Sequence, residues 1–188
     1  MSQPQQLPFT QRLQLAIETL LMTRLVPKGR VGGFFGLFFK IPLLFYKLHI
    51  TSLVPGNILV IVTQGRKTGL ERRTPVEFSR DAATGDIIVM SGWDGRTDWY
   101  RNARAHPRVR VLLRDREIEA TAEPIPDEAV AQMLKEISQV NPAAVRMWER
   151  WSDARMDGSD AGYLAAAPHF PSLYLRPCNK DDFKVTSQ

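Results

Sequence analysis

One cysteine in 188 residues, Cys178, leaves no partner for an internal disulfide and points weakly to a reducing compartment. Histidine is nearly as scarce. His49, His106 and His169 lie far apart in sequence, so no set of residues has metal-ligand spacing. A membrane-spanning helix needs roughly 20 unbroken apolar residues. The most apolar stretch, 31-VGGFFGLFFKIPLLFYKLHITSLV-54, is interrupted by Lys40, Pro42, Lys47 and His49. We read it as a buried or interfacial helix pair, packed on the domain or, as the alternative, laid on a membrane surface. The opening residues MSQPQQLPFTQRL have no long apolar core and no small-residue cleavage site. A signal peptide is therefore not expected, and the expected compartment is the cytoplasm, with contact to the inner face of the cell membrane as the variant. Internal repeats, low-complexity linkers, a Walker A loop and a nucleophile-elbow motif are all missing from the sequence.

What remains is a basic globular chain. A hydrophobic content of 44% is enough for a real core, and the length suits one compact domain. The net charge of +5 favours anionic partners without choosing among them. Residues 10–25 carry apolar side chains at helical spacing. NILVIVTQ (57–64) is a continuous β-branched run and reads as a buried strand. RRTPVEFSR (72–80) alternates, with Thr74, Val76 and Phe78 on one face, and DIIVMSG (86–92) reads as a third strand. TDWYRNARAH (97–106) reads as a helix that Thr97 can cap and Pro107 stops.

PRVRVLLRD (107–115) and REIEATAEP (116–124) read as a tight hairpin, Val109, Val111 and Leu113 inward and Arg108 and Arg110 outward. Helices are expected over 126–140 and 142–156, broken at Asn141-Pro142, and a last strand over 172–177. Short links favour antiparallel pairing. The expected fold is mainly β (α+β): a small split antiparallel β-barrel with N-terminal and peripheral helices. Residues 1–54 form the apolar helical segment and 55–188 the barrel.

Two stretches concentrate chemistry. In 64-QGRKTGLERRTP-75, four cations crowd a glycine-bearing turn between strands. Such a turn offers backbone N–H groups and charge-assisted hydrogen bonds to a phosphate or carboxylate. The plain alternative is a solvated basic loop. In 91-SGWDGRTDWYRNARAHP-107, aromatic rings suit stacking, while arginines and Asn102 suit an anion. By itself Trp99 reads as a core anchor.

GRKTGLERRTPV, a short β-hairpin, then SGW…DWYRNARAHP and a strand of alternating valines resemble the deazaflavin-dependent nitroreductase and quinone reductase family. That family is similar to the FMN-binding split β-barrels. The resemblance is strong over about residues 55–125 and looser in the C-terminal third. It implies a site for coenzyme F420, a deazaflavin with a phosphate and an oligoglutamate tail. A polyanionic tail would explain the basic turn. On matching positions, Arg66, Lys67 and Thr68 would meet the tail or phosphate. Arg72, Arg73, Thr74, Pro75 and Val76 would line the groove. Met90, Ser91, Gly92 and Trp93 would border the ring, and Trp99, Tyr100 and Asn102 would close the phosphate side.

The implied chemistry is hydride transfer from reduced deazaflavin to a small-molecule electron acceptor, a quinone or nitro compound. The protein holds the ring, orients the acceptor and supplies a proton. The resemblance makes Tyr163 the first proton-donor candidate. Chemistry alone favours His169, because histidine titrates near neutrality. Packing and surface roles are the plain alternatives for these two. Glu77, Trp93 and Asp98 depart from the usual family pattern and leave room for FMN instead. A non-catalytic carrier of deazaflavin, flavin or haem is the rival class. Nucleic-acid binding through Arg108, Arg110, Arg114 and Arg116 ranks last, since no recognised signature accompanies them. Related barrels suggest a homodimer by analogy.

Overall fold

Six antiparallel strands close into one ring in the computed structural model, which describes residues 56–81 and 83–179. In chain order these are β1 (Ile58–Gln64), β2 (Glu71–Arg80), β3 (Ile87–Met90), β4 (Arg108–Leu113), β5 (Arg116–Pro124) and β6 (Ser172–Pro177). The ring runs β1-β2-β3-β6-β5-β4 and returns to β1 through the Val60–Leu112, Ile61–Val111 and Val62–Arg110 pairs. Helix α1 (Asp98–Ala105) joins β3 to β4. Helices α2 (Asp127–Val140), α3 (Pro142–Trp151) and α4 (Asp160–Ala166) separate β5 from β6 in sequence, yet these two strands pair directly. Two short 3-10 turns, Trp93–Gly95 and Ala167–His169, complete the order. The expected helices over 10–25 and 31–54, and any membrane contact there, lie outside the described residues. Among the described residues no helix is long and apolar enough to cross a membrane.

The barrel is filled by the alternation that the sequence displays. Val109, Val111 and Leu113 of β4 point inward with Ile118, Ala120 and Ala122 of β5, joined by Leu59, Ile61, Val89, Leu173 and Leu175. The β4–β5 hairpin turns on two residues, and Arg114 takes the left-handed φ of 53° that such a turn needs. A second apolar cluster lies outside the ring. There Ile88 of β3 meets Val130 and Leu134 of α2, Ala166 of α4 and Phe170.

Three expectations needed correction. The helix begun at Pro142 ends at Trp151, not at 156. Helix α4 was not expected. Its signal was Ser159, whose Oγ accepts from Gly162 N–H at 2.9 Å as an N-cap. Thr97 occupies the N-cap position of α1, but its side chain does not cap. Its Oγ1 lies 2.7 Å from Ser91 Oγ instead, which ties the helix start to the end of β3.

One asymmetry of the ring frames the site. Strand β2 pairs with β1 from Glu71 to Glu77, but meets β3 only through Phe78, Ser79 and Arg80. Strand β3 stops at Met90, so the second edge of β2 over residues 71–77 carries no described strand. The chain leaving β3 turns away at Ser91, and the basic 65–70 turn sits at the start of this open edge.

Candidate anion and ring site

The basic turn is folded by its own backbone. Gly65 N–H donates to Leu70 O at 2.8 Å, and Thr68 and Gly69 N–H both return to Gly65 O, at 3.1 and 2.7 Å. Gly69 takes φ +68°, and a Cβ on Gly65 would sit 2.8 Å from Thr68 Oγ1. Both glycines are therefore required by the turn itself. Leu70 N–H reaches Thr68 Oγ1 at 3.4 Å. Arg66 N–H donates to Asn102 Oδ1 at 3.2 Å. The expectation that this turn offers a set of free amides is thus corrected. Of residues 65–70, only the Lys67 N–H has no hydrogen-bond partner among the described residues.

The charges divide in the same way. Arg66 Nη1 donates to Asn102 Oδ1 and to Asp98 Oδ1, both at 2.9 Å. Arg73 Nε pairs with Glu71 at 2.8 Å. Arg110 is held between Glu71 and Glu117. The Arg73 hydrogen bond, helped by Arg110, holds the Glu71 carboxyl below the usual carboxylate range against the opposing effect of burial. Lys67 and Arg72 are exposed and have no ion pair among the described residues. They are the two cations of the turn left available to an anion. Thr68 is exposed, but its hydroxyl already serves the turn.

Asn102 is 3% exposed, and its Nδ2 lies 3.5 Å from Thr63 Oγ1. It ties β1, the turn and α1 together and is no longer free to meet a ligand through Oδ1. Trp99 is buried in the barrel cluster, edge-on to Tyr100 with 6.0 Å between ring centroids. It packs as a core anchor, as its own sequence reading expected. Tyr100 is half-buried and its hydroxyl accepts from Arg104 Nη1 at 3.2 Å. Val76 also points into the barrel. Of its neighbours on the open edge, Thr74 and Pro75 are half-buried and Arg73 is exposed.

At the end of β3, Met90 is half-buried against the outer cluster. Ser91 is wholly buried with its hydroxyl on Thr97. Gly92 has open space where a Cβ would stand, and Trp93 is half-buried. Met90, Gly92 and Trp93 thus keep some accessible surface, and Ser91 keeps none.

The proton-donor candidates separate clearly. Tyr163 is buried in the outer cluster, and its hydroxyl lies 2.5 Å from Ser138 Oγ of α2. The hydroxyl is thus engaged inside the helical cluster. His169 is partly exposed on the second 3-10 turn, its Nδ1 2.6 Å from Asp94 Oδ1. Asp94 did not figure in the sequence reading. Its signal, an acid between tryptophan and glycine, gains meaning only from a contact across 75 residues. Of the outward arginines of the β4–β5 hairpin, Arg110 is neutralised by two glutamates.

The sequence profile described as F420H(2)-dependent quinone reductase matches residues 47–154. The chain belongs to that family. An F420H(2)-dependent quinone reductase of Mycobacterium tuberculosis strain H37Rv is 32% identical over 80 residues, covering 41% of this chain and 54% of that protein. A putative counterpart in Mycobacterium bovis matches to the same extent. The chain thus spans about half the length of the curated relatives it matches. Among solved structures, an F420-H2 dependent reductase overlays 64% of this chain and 94% of its own, with 19% identity and a TM-score of 0.45. The heme storage protein HutZ of Vibrio cholerae overlays 71% and 89%, with 13% identity and a TM-score of 0.44.

Proposed function

We propose that the protein is an F420-dependent oxidoreductase that reduces a quinone, or a nitro compound of similar shape. The observation that carries this is the pair Lys67 and Arg72. They are the cations of the basic turn with no described partner, and they sit at the start of the open β2 edge. An anionic tail fits that arrangement, because each cation can form a charge-assisted hydrogen bond without breaking an existing pair. Over residues 71–76 no strand among the described residues takes the second edge of β2, so strand backbone groups there can meet a planar ring. Gly92, lacking a Cβ, lets a ring approach the backbone at the far side.

When bound, reduced deazaflavin supplies the hydride. The residues of this chain do the rest. Lys67 and Arg72 hold the anionic end, and Arg66 with Asn102 keeps the turn that carries them in place. His169 supplies the proton in preference to Tyr163, whose hydroxyl is sealed in the core. Residues 55–188 constitute the cofactor-binding barrel under this reading, working in the cytoplasm alone or as a homodimer.

Titration of the purified protein with F420 and, separately, FMN, followed by tryptophan quenching, tests the reading. Lys67→Ala and Arg72→Ala are each expected to weaken F420 binding roughly ten- to a hundredfold, the equivalent of one hydrogen bond to a charged group. Neither should lower the melting temperature. Tight FMN binding without F420 would keep the fold and replace the cofactor. F420 binding with no turnover of any quinone or nitro acceptor would make the protein a carrier.

A further inference from the structure

The segment after β3 holds three successive residues in left-handed conformation: Trp93 at φ 54°, Asp94 at 55° and Gly95 at 68°. Glycine adopts this freely, but tryptophan and aspartate do so only under strain that the surroundings must over-determine. The surroundings here are specific. Arg96 returns both its backbone N–H and its Nε–H to Trp93 O, at 3.0 and 3.1 Å. Its Nη2 pairs with Asp94 Oδ2. Ser91 N–H bonds Pro171 O at 3.0 Å, and a Cβ on Gly95 would meet Pro171 Cγ at 2.8 Å. The consequence is a carboxylate brought back onto the chain just before β6. Asp94 Oδ1 stands 2.6 Å from His169 Nδ1, with the Asp94 side chain 19% exposed and that of His169 33% exposed.

We propose that Asp94 is a positioning residue for His169, and that His169 Nε2 delivers the proton that accompanies hydride transfer. This rests on the reductase reading above. An ionised carboxylate only accepts hydrogen bonds, so it holds the imidazole proton on Nδ1 and directs Nε2 away from itself. Arg96 on the second oxygen holds the carboxylate in its orientation. Gly95 of the turn is buried against Pro171 and Tyr100, whereas the Asp94 side chain joins neither apolar cluster and is held by Arg96 and His169. The same turn carries Trp93 and follows Gly92, the accessible part of the ring border. In the step itself, the acceptor takes two electrons and one proton as hydride from reduced deazaflavin. Its oxygen takes a second proton from His169 Nε2–H. That N–H bond breaks, an O–H bond forms, and the imidazole is left neutral with its proton on Nδ1. Solvent then restores the imidazolium.

The first test needs no cofactor. Long-range proton–nitrogen correlation of the full chain labelled with 15N-histidine, about two pH units above the ordinary imidazole value of roughly 6.5, reads the neutral tautomer. Wild type should show His169 protonated on Nδ1. Asp94→Asn, whose amide can donate to Nδ1, should switch it to Nε2, while Asp94→Glu should retain Nδ1. A wild-type Nε2–H tautomer, or no change in Asp94→Asn, overturns the positioning role. The second test uses F420H2 and a soluble benzoquinone. His169→Gln should lower kcat about a hundredfold or more, as loss of a general acid does, with KM for the quinone and Kd for F420 unchanged. An unaltered kcat overturns the proton role. A wild-type chain that binds no F420 overturns the reductase reading and the proton role with it, and the tautomer result still decides the Asp94 contact.

Discussion

Replacing Asn102 by alanine cuts the tie between the basic turn and α1. Its Oδ1 accepts from Arg66 Nη1 at 2.9 Å and from Arg66 N–H at 3.2 Å. A hydrogen bond to a charged group contributes about 1.5–3 kcal/mol and a neutral one about 0.5–1.5 kcal/mol. Arg66 keeps Asp98 after the change, which limits the loss of the charged bond. The part-buried backbone N–H keeps nothing, which adds a desolvation cost. The expected destabilisation is therefore about 2–4 kcal/mol, the equivalent of roughly 5–15 °C in melting temperature for a chain of this size. Asp98→Ala removes an ion pair whose acid is 80% exposed, and should cost about 1 kcal/mol at most.

Urea unfolding of Arg66→Ala, Asn102→Ala and the double variant measures the coupling, expected at about 1–3 kcal/mol. F420 affinity should fall in Asn102→Ala although no ligand contact is removed, because Lys67 and Arg72 then ride on a loosened turn. Equal costs for Asn102→Ala and Asp98→Ala, or strictly additive single costs, would refute the tie.

Other consequences are equally open to measurement. Leu173 is fully buried on β6, where that strand pairs with both β3 and β5, so Leu173→Ala should cost about 2–5 kcal/mol in urea unfolding. Glu71 has a lowered folded-state pKa, so its contribution is present at neutral pH and lost as pH falls through that lowered value. Glu71→Gln should therefore be slightly less stable than wild type at pH 7, with the two curves converging in acid. Gly95→Ala combines a left-handed φ with a clash against Pro171 and should destabilise by about 1–3 kcal/mol. It should also shift the His169 imidazole resonances, which report the Asp94 contact.

The β1 run, the β4–β5 hairpin and the inward positions of Val109, Val111 and Leu113 were legible because they rest on local periodicity. A strand alternates every two residues whatever surrounds it, so its buried face can be read from order alone. The basic turn was legible as charge. Its division into structural and available cations was not, since Arg66 finds Asp98 and Asn102 at 32 and 36 positions away and Arg110 finds Glu71 at 39 as well as Glu117 at 7, while Lys67 and Arg72 find none described.

Burial misled in the same places. Trp99, Asn102 and Tyr163 carry groups that suit a ligand, and only their burial shows those groups already committed. Sequence by itself thus determined the six strands, the antiparallel barrel and the concentration of positive charge at the turn, all properties of near neighbours along the chain. Tertiary structure decided which cations have partners among the described residues, that the Tyr163 hydroxyl is buried against Ser138 and that Asp94 meets His169. Those depend on which faces the closed ring and its covering helices bring within hydrogen-bonding distance.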